Sequence, residues 1–257
     1  MAAPARFLND NIEIEEAIII SSDGSTIDVR YLITDLLITE DIYAHCMTGS
    51  LSLIDGIGLV DKLPIVGEEF FNVRFRTPEL GNIFVNKSFA IYKISDRTRI
   101  DDKLESYELY LVSLEGMINT MTLVDNNYVG LTYTEISKKV FDDYIFNSNL
   151  KGGIKNSRYM DIPRFKKNME GGVDRSSGIQ ALTTIGDNPF TVIQKCADLA
   201  QSEDYPDSDF VFYEDRDGFN FVAISSLIEQ EPASDKIGSY VMGDHGVEES
   251  RTSKNKK

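Results

Sequence analysis

The first third of the chain is built on short alternations of apolar and polar residues. Ile12-Glu13-Ile14-Glu15 alternates, Ala17-Ile18-Ile19-Ile20 is a β-branched run, and Thr26 to Ile33 alternates again through Ile27, Val29 and Tyr31. A period of two is the signature of a half-buried strand. Between these runs lies Ser21-Ser22-Asp23-Gly24-Ser25, whose Asp-Gly pair tolerates the positive φ of a tight hairpin. Further strands are expected from about His45 to Ile54, at Glu69–Arg76, at Asn82–Ser95 and at Leu104–Glu115, with Asp101-Asp102-Lys103 as a polar turn between the last two. Leu59 and Leu63, stopped by Pro64, fit one or two turns of helix. Seven or so short strands and one small helix point to an antiparallel barrel or sandwich.

After residue 130 the period changes. Thr132 and Glu135 stand at capping-box spacing, followed by an apolar stripe of Ile136, Val140, Phe141, Tyr144 and Ile145 at helical period. Asn188-Pro189 predicts a second helix start, with Val192, Ile193, Cys196, Ala197 and Ala200 on one face. Phe210–Tyr213 and Phe219–Val222 flank a polar tip, Glu214 to Gly218, as a hairpin. Between the helices, residues 147–186 show weak periodicity and read as a long loop, functional or mobile. The fold class is therefore α+β, mainly β: a barrel or sandwich over residues 1–130, a smaller α+β domain over 131–228 with two helices, a long basic loop and a hairpin, and a polar tail over 229–257.

Charge adds one constraint. With 26 basic and 42 acidic residues the formal net charge is −16, which argues against a surface built to grip a phosphate backbone. One loop departs from this background. Lys151, Lys155, Arg158, Arg164, Lys166, Lys167 and Arg175 face only Asp161, Glu170 and Asp174 in sequence. The loop reads as a segment that interlocks with acidic neighbours, as a nucleic-acid contact, or as a solvated loop. The second is the weakest, since only Tyr159 and Phe165 could stack on bases.

No candidate catalytic or metal site stands out. His45 beside Cys46, with Cys196 and His245 far away, does not make the three or four convergent ligands that a metal needs. Gly56-Ile57-Gly58 lacks the rest of a dinucleotide fingerprint and its βαβ context. Arg216 interrupts the acidic run at 214–217, and no bidentate Glu follows at calcium-loop spacing. Two cysteines make no disulfide framework. No apolar run reaches the ~18–20 residues that span a bilayer, and no signal-peptide core follows Met1. We expect no cofactor, no membrane insertion and no enzyme.

Two stretches together resemble the baseplate hub proteins of contractile-tailed, T4-like bacteriophages. One runs from Thr48-Gly49-Ser50-Leu51-Ser52-Leu53-Ile54-Asp55-Gly56 through Leu63-Pro64-Ile65-Val66-Gly67-Glu68-Glu69 into the strands that follow. The other joins Tyr128-Val129-Gly130, the 136–145 helix, Asn188-Pro189-Phe190 and the 210–222 hairpin with Arg216-Asp217-Gly218-Phe219. The resemblance covers about residues 25–228. It implies a tail-tube-like barrel with a flanking helix, in a homotrimer at the tail axis. Its implied partners are the tail tube protein and the central spike, with the tape measure and baseplate wedge proteins as further candidates. It also implies a virion location, with host cytoplasm during assembly, and a channel that DNA passes without specific binding; an acidic lumen would repel phosphates over ~8–10 Å. In the family a second tube domain lets a trimer imitate a six-fold ring, and little chain remains after Val222 for one. The alternatives are another tube-fold component, such as a tube initiator or injection-system spike base, and, with less support, a tail-borne cell-wall hydrolase.

Overall fold

The computed structural model describes residues 6–8, 12–21, 24–62, 67, 69–76, 84–146 and 173–230. Its first part is one antiparallel sheet of eight strands: β1 (Arg6–Leu8), β2 (Ile12–Ile20), β3 (Thr26–Asp28), β4 (Ile33–Thr39), β5 (Thr48–Asp55), β6 (Phe70–Arg76), β7 (Phe84–Asp101) and β8 (Leu104–Ser113). The order is β1-β2-β6-β7-β8-β5-β4, with β3 also on β2. A short helix, α1 (Leu59–Lys62), lies between β5 and β6. The mainly-β antiparallel architecture expected from the alternation is what the chain adopts.

The sheet curls, and one bent segment joins its two ends. Ile19 pairs with Phe71 on one side and Ile27 on the other, so β3 lies on the edge of β2 opposite β6. The chain then turns through Val29–Leu32 into β4, which pairs with β5 at the far end of the sheet. The corner keeps a bond to each end: the Val29 N–H donates to the Ala17 carbonyl, and the Ile54 N–H to that of Leu32, both at 2.9 Å. The single strand expected over Thr26–Ile33 is therefore two, broken where the barrel turns. Arg30 pins the turn. Its guanidinium donates to both oxygens of Asp28, and to the Glu15 carbonyl at 2.7 Å. Burial works to raise the Asp28 carboxyl, but the side chain and backbone of Arg30 hold it below its ordinary value.

The apparent break in alternation inside β2 also has a physical reason. Ile14 and Ala17 are both fully buried although three residues apart, because a bulge between Ile14 and Glu16 resets the parity. The curl encloses Ile14, Ile19, Ile33, Leu51, Phe71, Phe89, Leu109 and Leu111 in a first core.

A second core follows. It is made by α2 (Leu114–Met121), β9 (Val124–Leu131), α3 (Tyr133–Val140) with a π-helical continuation over Phe141–Phe146, β10 (Gln180–Asp187), α4 (Pro189–Leu199) and the hairpin of β11 (Phe210–Asp215) and β12 (Gly218–Ala223); α5 (Ile224–Ile228) follows and buries none of its residues. The capping box at the head of α3 forms as its spacing predicts, with Thr132 and Glu135 each accepting the other's backbone N–H. Asn188 precedes α4 as expected, yet its side chain makes no cap. Its amide donates instead to the Asn119 and Thr122 carbonyls, while Asn119 Oδ1 accepts the Phe190 N–H at 2.7 Å. The two asparagines thus fasten the end of α2 to the head of α4.

One expectation needs correction. Residues 147–186 are not all loop, because β10 begins at Gln180 and pairs with β9. Neither strand of that ribbon nor α2 is signalled by apolar periodicity. Of the tail expected over 229–257, residues 231–257 lie outside the described residues.

Candidate interaction surfaces and the junction of the two cores

Of the seven basic residues singled out in the sequence, Lys151, Lys155, Arg158, Arg164, Lys166 and Lys167 lie outside the described residues. Arg175 is described, and it turns toward its own chain. Its guanidinium stands 3.5 Å from Glu203 and 3.8 Å from Asp204, and its carbonyl accepts the Glu203 N–H. Both ion pairs are solvent-exposed, the kind that hold little energy.

The β9–β10 ribbon presents a different surface. Tyr128 and Thr184 face the second core, while Val129, Ile179 and Ile185 are 66%, 77% and 82% exposed. Ala181 pairs with Val129 and Thr183 with Asn127 on the same outward side, so this part of the face carries apolar and uncharged side chains, with the exposed Asp125 at its end. At the far end of the first sheet, the β7–β8 turn exposes Ile100 beside the ion pairs Arg97–Glu105 and Arg99–Asp102.

Between the two cores the contacts are close and buried. Gly116 on α2 lies where a Cβ would be 2.8 Å from both Cys46 Sγ and a Val112 methyl, so glycine lets the helix sit against the outside of β8. His45 Nε2 is 3.0 Å from Gln194 Oε1 on α4, and its ring packs against Phe190 and Phe212. His45 and Cys46 both pack against residues of the second core.

The strongest link runs from the β11–β12 tip. Glu214 is 2% exposed, and its carboxylate accepts the Met47 N–H at 2.9 Å and the Lys87 ammonium at 3.2 Å. Lys87 also donates to the Asp215 carbonyl at 3.0 Å. Reading 214–218 as a wholly polar tip is corrected by this: the strands pair up to Asp215 and Gly218, leaving only Arg216 and Asp217 as the turn. A signal was available in the sequence. Phe210, Phe212 and Glu214 fall on one face at period two, so the register that buries two phenylalanines buries the glutamate with them.

Chemistry is sparse among the described residues, where no group of three His, Cys, Asp or Glu side chains could hold a metal ion. Burial, with the charge of Glu214 behind it, pushes the Cys46 thiol up to about 11, and burial pushes Cys196 to about 11 as well. Both thiols should be poor nucleophiles. At pH 8 a thiol reagent should label them at least about 100-fold more slowly in the native protein than in denaturant; labelling of either at the unfolded rate would contradict this environment.

No family model matches the chain. Among curated proteins it is similar to the probable baseplate hub protein gp334 of Vibrio phage KVP40, 27% identical over 189 residues, which are 72% of this chain and 40% of that protein. The chain therefore spans less than half the length of that relative. Among solved structures it is similar to the 43 kDa tail protein of prophage MuSo2 from Shewanella oneidensis (TM-score 0.48, 13% identity, 81% of this chain and 54% of the other). A tail protein from Neisseria meningitidis MC58 is also similar (TM-score 0.42, 11% identity, 81% and 50%). In sequence, then, the chain is similar to a baseplate hub protein of a bacteriophage. This is the baseplate-hub likeness that the residues at 48–69 and 128–222 led us to expect.

Proposed function

We propose that this chain is a non-enzymatic subunit of a phage baseplate hub, a homotrimer that connects the tail tube to the central spike and lines the channel. The observation that carries the proposal is the match of nearly three quarters of the chain to a hub protein. The physical support is architectural: a curled antiparallel sheet offers broad outer faces and edges, the surface that ring contacts need. In this reading the net charge of −16 keeps passing DNA from adhering to the channel wall. The tape measure and wedge proteins are further partners, assembly takes place in the host cytoplasm, and the mature location is the virion tail.

The same reading divides the chain into a barrel unit and an α+β unit. We set the division near Ser113 instead of after residue 130, since Ile118, Val124 and Tyr128 pack with the second core. The basic residues Lys151, Lys155, Arg158, Arg164, Lys166 and Lys167 interlock with acidic surfaces of neighbouring subunits, while Arg175 pairs within its own chain. Mass measurement of the purified protein, alone and with tube and spike subunits, tests the proposal. A trimer, or a trimer formed only with those partners, is the expected result; a monomer in the presence of both would overturn it.

A further inference from the structure

Lys87 and Glu214 are separated by 127 residues, yet their charged ends meet in a place almost closed to water, with side-chain exposures of 10% and 2%. The register shows why the meeting point is there. Phe89 pairs with Ser113, the last residue of β8, so the part of β7 before Phe89 has no β8 beside it. Lys87 pairs with Val73 and points to the core side, as Phe89 does opposite Phe71. Across the gap left by the end of β8 lies Met47, whose side chain is in the first core and whose N–H is bonded to Glu214. The β11–β12 tip fills this gap. It supplies an acceptor to the head of β5 and a counter-charge to β7.

A buried ammonium without its carboxylate is costly, and so is a buried N–H without its acceptor. At this point both partners come from the hairpin. We propose that the β11–β12 tip is a completion key for the first barrel: the head of β5 and the first half of β7 settle only when Glu214 is seated, so the barrel and the second core open and close as one cooperative body. The consequence for assembly, that ring-forming surfaces mature only on a chain extended through the hairpin, rests on the hub reading; the coupling itself does not.

Residue-resolved amide hydrogen exchange on the full chain tests the key. Glu214→Ala should speed exchange at the Met47 amide and around Lys87 by about 10- to 100-fold, while Glu214→Gln, which keeps a carbonyl acceptor, should have a smaller effect at Met47. Exchange at Met47 and Lys87 within about twofold of wild type in Glu214→Ala, with opening confined to residues 210–223, would overturn the proposal. Should Glu214→Ala fail to fold, a double-mutant cycle of Lys87→Met and Glu214→Gln decides the matter. The double change should shift the denaturation midpoint by less than the sum of the single changes, and additivity would refute the coupling. A coupled cycle in a protein that stays monomeric with tube and spike subunits would sink the hub reading and leave the key standing.

Discussion

Phe219→Ala should destabilise the protein by about 3–5 kcal/mol, the largest loss we expect from any single truncation. Phe219 is fully buried at the centre of an aromatic cluster, its ring 4.8 Å from Phe141, 5.6 Å from Phe190 and 5.7 Å from Phe212. These partners come from the end of α3, from the head of α4 and from the other strand of the hairpin, so one ring closes two helices onto the hairpin. Truncation leaves a cavity whose walls are other phenylalanines anchored on rigid elements, and such walls relax poorly. The hairpin that carries Phe219 also carries Glu214, so the loss should reach the first core as well. Chemical denaturation followed by tyrosine fluorescence and by far-ultraviolet circular dichroism should show both signals moving together to a lower midpoint. A loss below about 1 kcal/mol would mean that the cluster packs far more loosely than these distances describe.

The elements that were legible in the sequence are those in which burial alternates with exposure at a fixed period. β8 alternates buried with half-buried positions and α3 adds a capping box to an apolar stripe, so residue type reported position directly, whereas β12 is buried throughout and was legible from its aromatic run beside a polar turn. β9 and β10 were not legible because their buried faces include polar residues. Thr184 is 2% exposed, while Val129 and Ile185 face outward, which inverts the usual pattern. The corner at Arg30 was hidden for a related reason: Val29 and Ile33 are both buried, and alternation continues through a turn held by an ion pair that no local rule announces. The hub resemblance depended on short turn and strand motifs, whose residue types place backbone and can be read locally. The Lys87–Glu214 junction had no such motif. Only the parity of Phe210, Phe212 and Glu214 pointed inward, and nothing pointed from Glu214 to Lys87.

Gly49 offers a test in which local propensity and tertiary geometry predict opposite signs. Glycine weakens a strand interior, and valine is among the best strand formers. On propensity alone Gly49→Val in β5 should therefore stabilise. The structure forbids it. Gly49 pairs with Ile38 on one side and Leu111 on the other, and a Cβ built on it would lie 2.4 Å from the Leu37 carbonyl oxygen. That neighbour is backbone in the adjoining strand, so relief requires β4 to move away from β5 and not merely a side chain to rotate. Because β4 is the strand through which the bent segment reaches the far end of the sheet, the displacement opens the barrel at its seam. We expect a loss of about 3 kcal/mol, at the upper end of what overpacking costs, with Gly49→Ala losing less but still destabilising. Ser50→Val, one residue along and without that obstruction, is the control for propensity and should cost far less. Midpoints from reversible denaturation of the three variants decide between the two views: if Gly49→Val proves neutral or stabilising, β4 does not press on β5 as described, and the closure of the first sheet through the Val29–Leu32 corner fails with it.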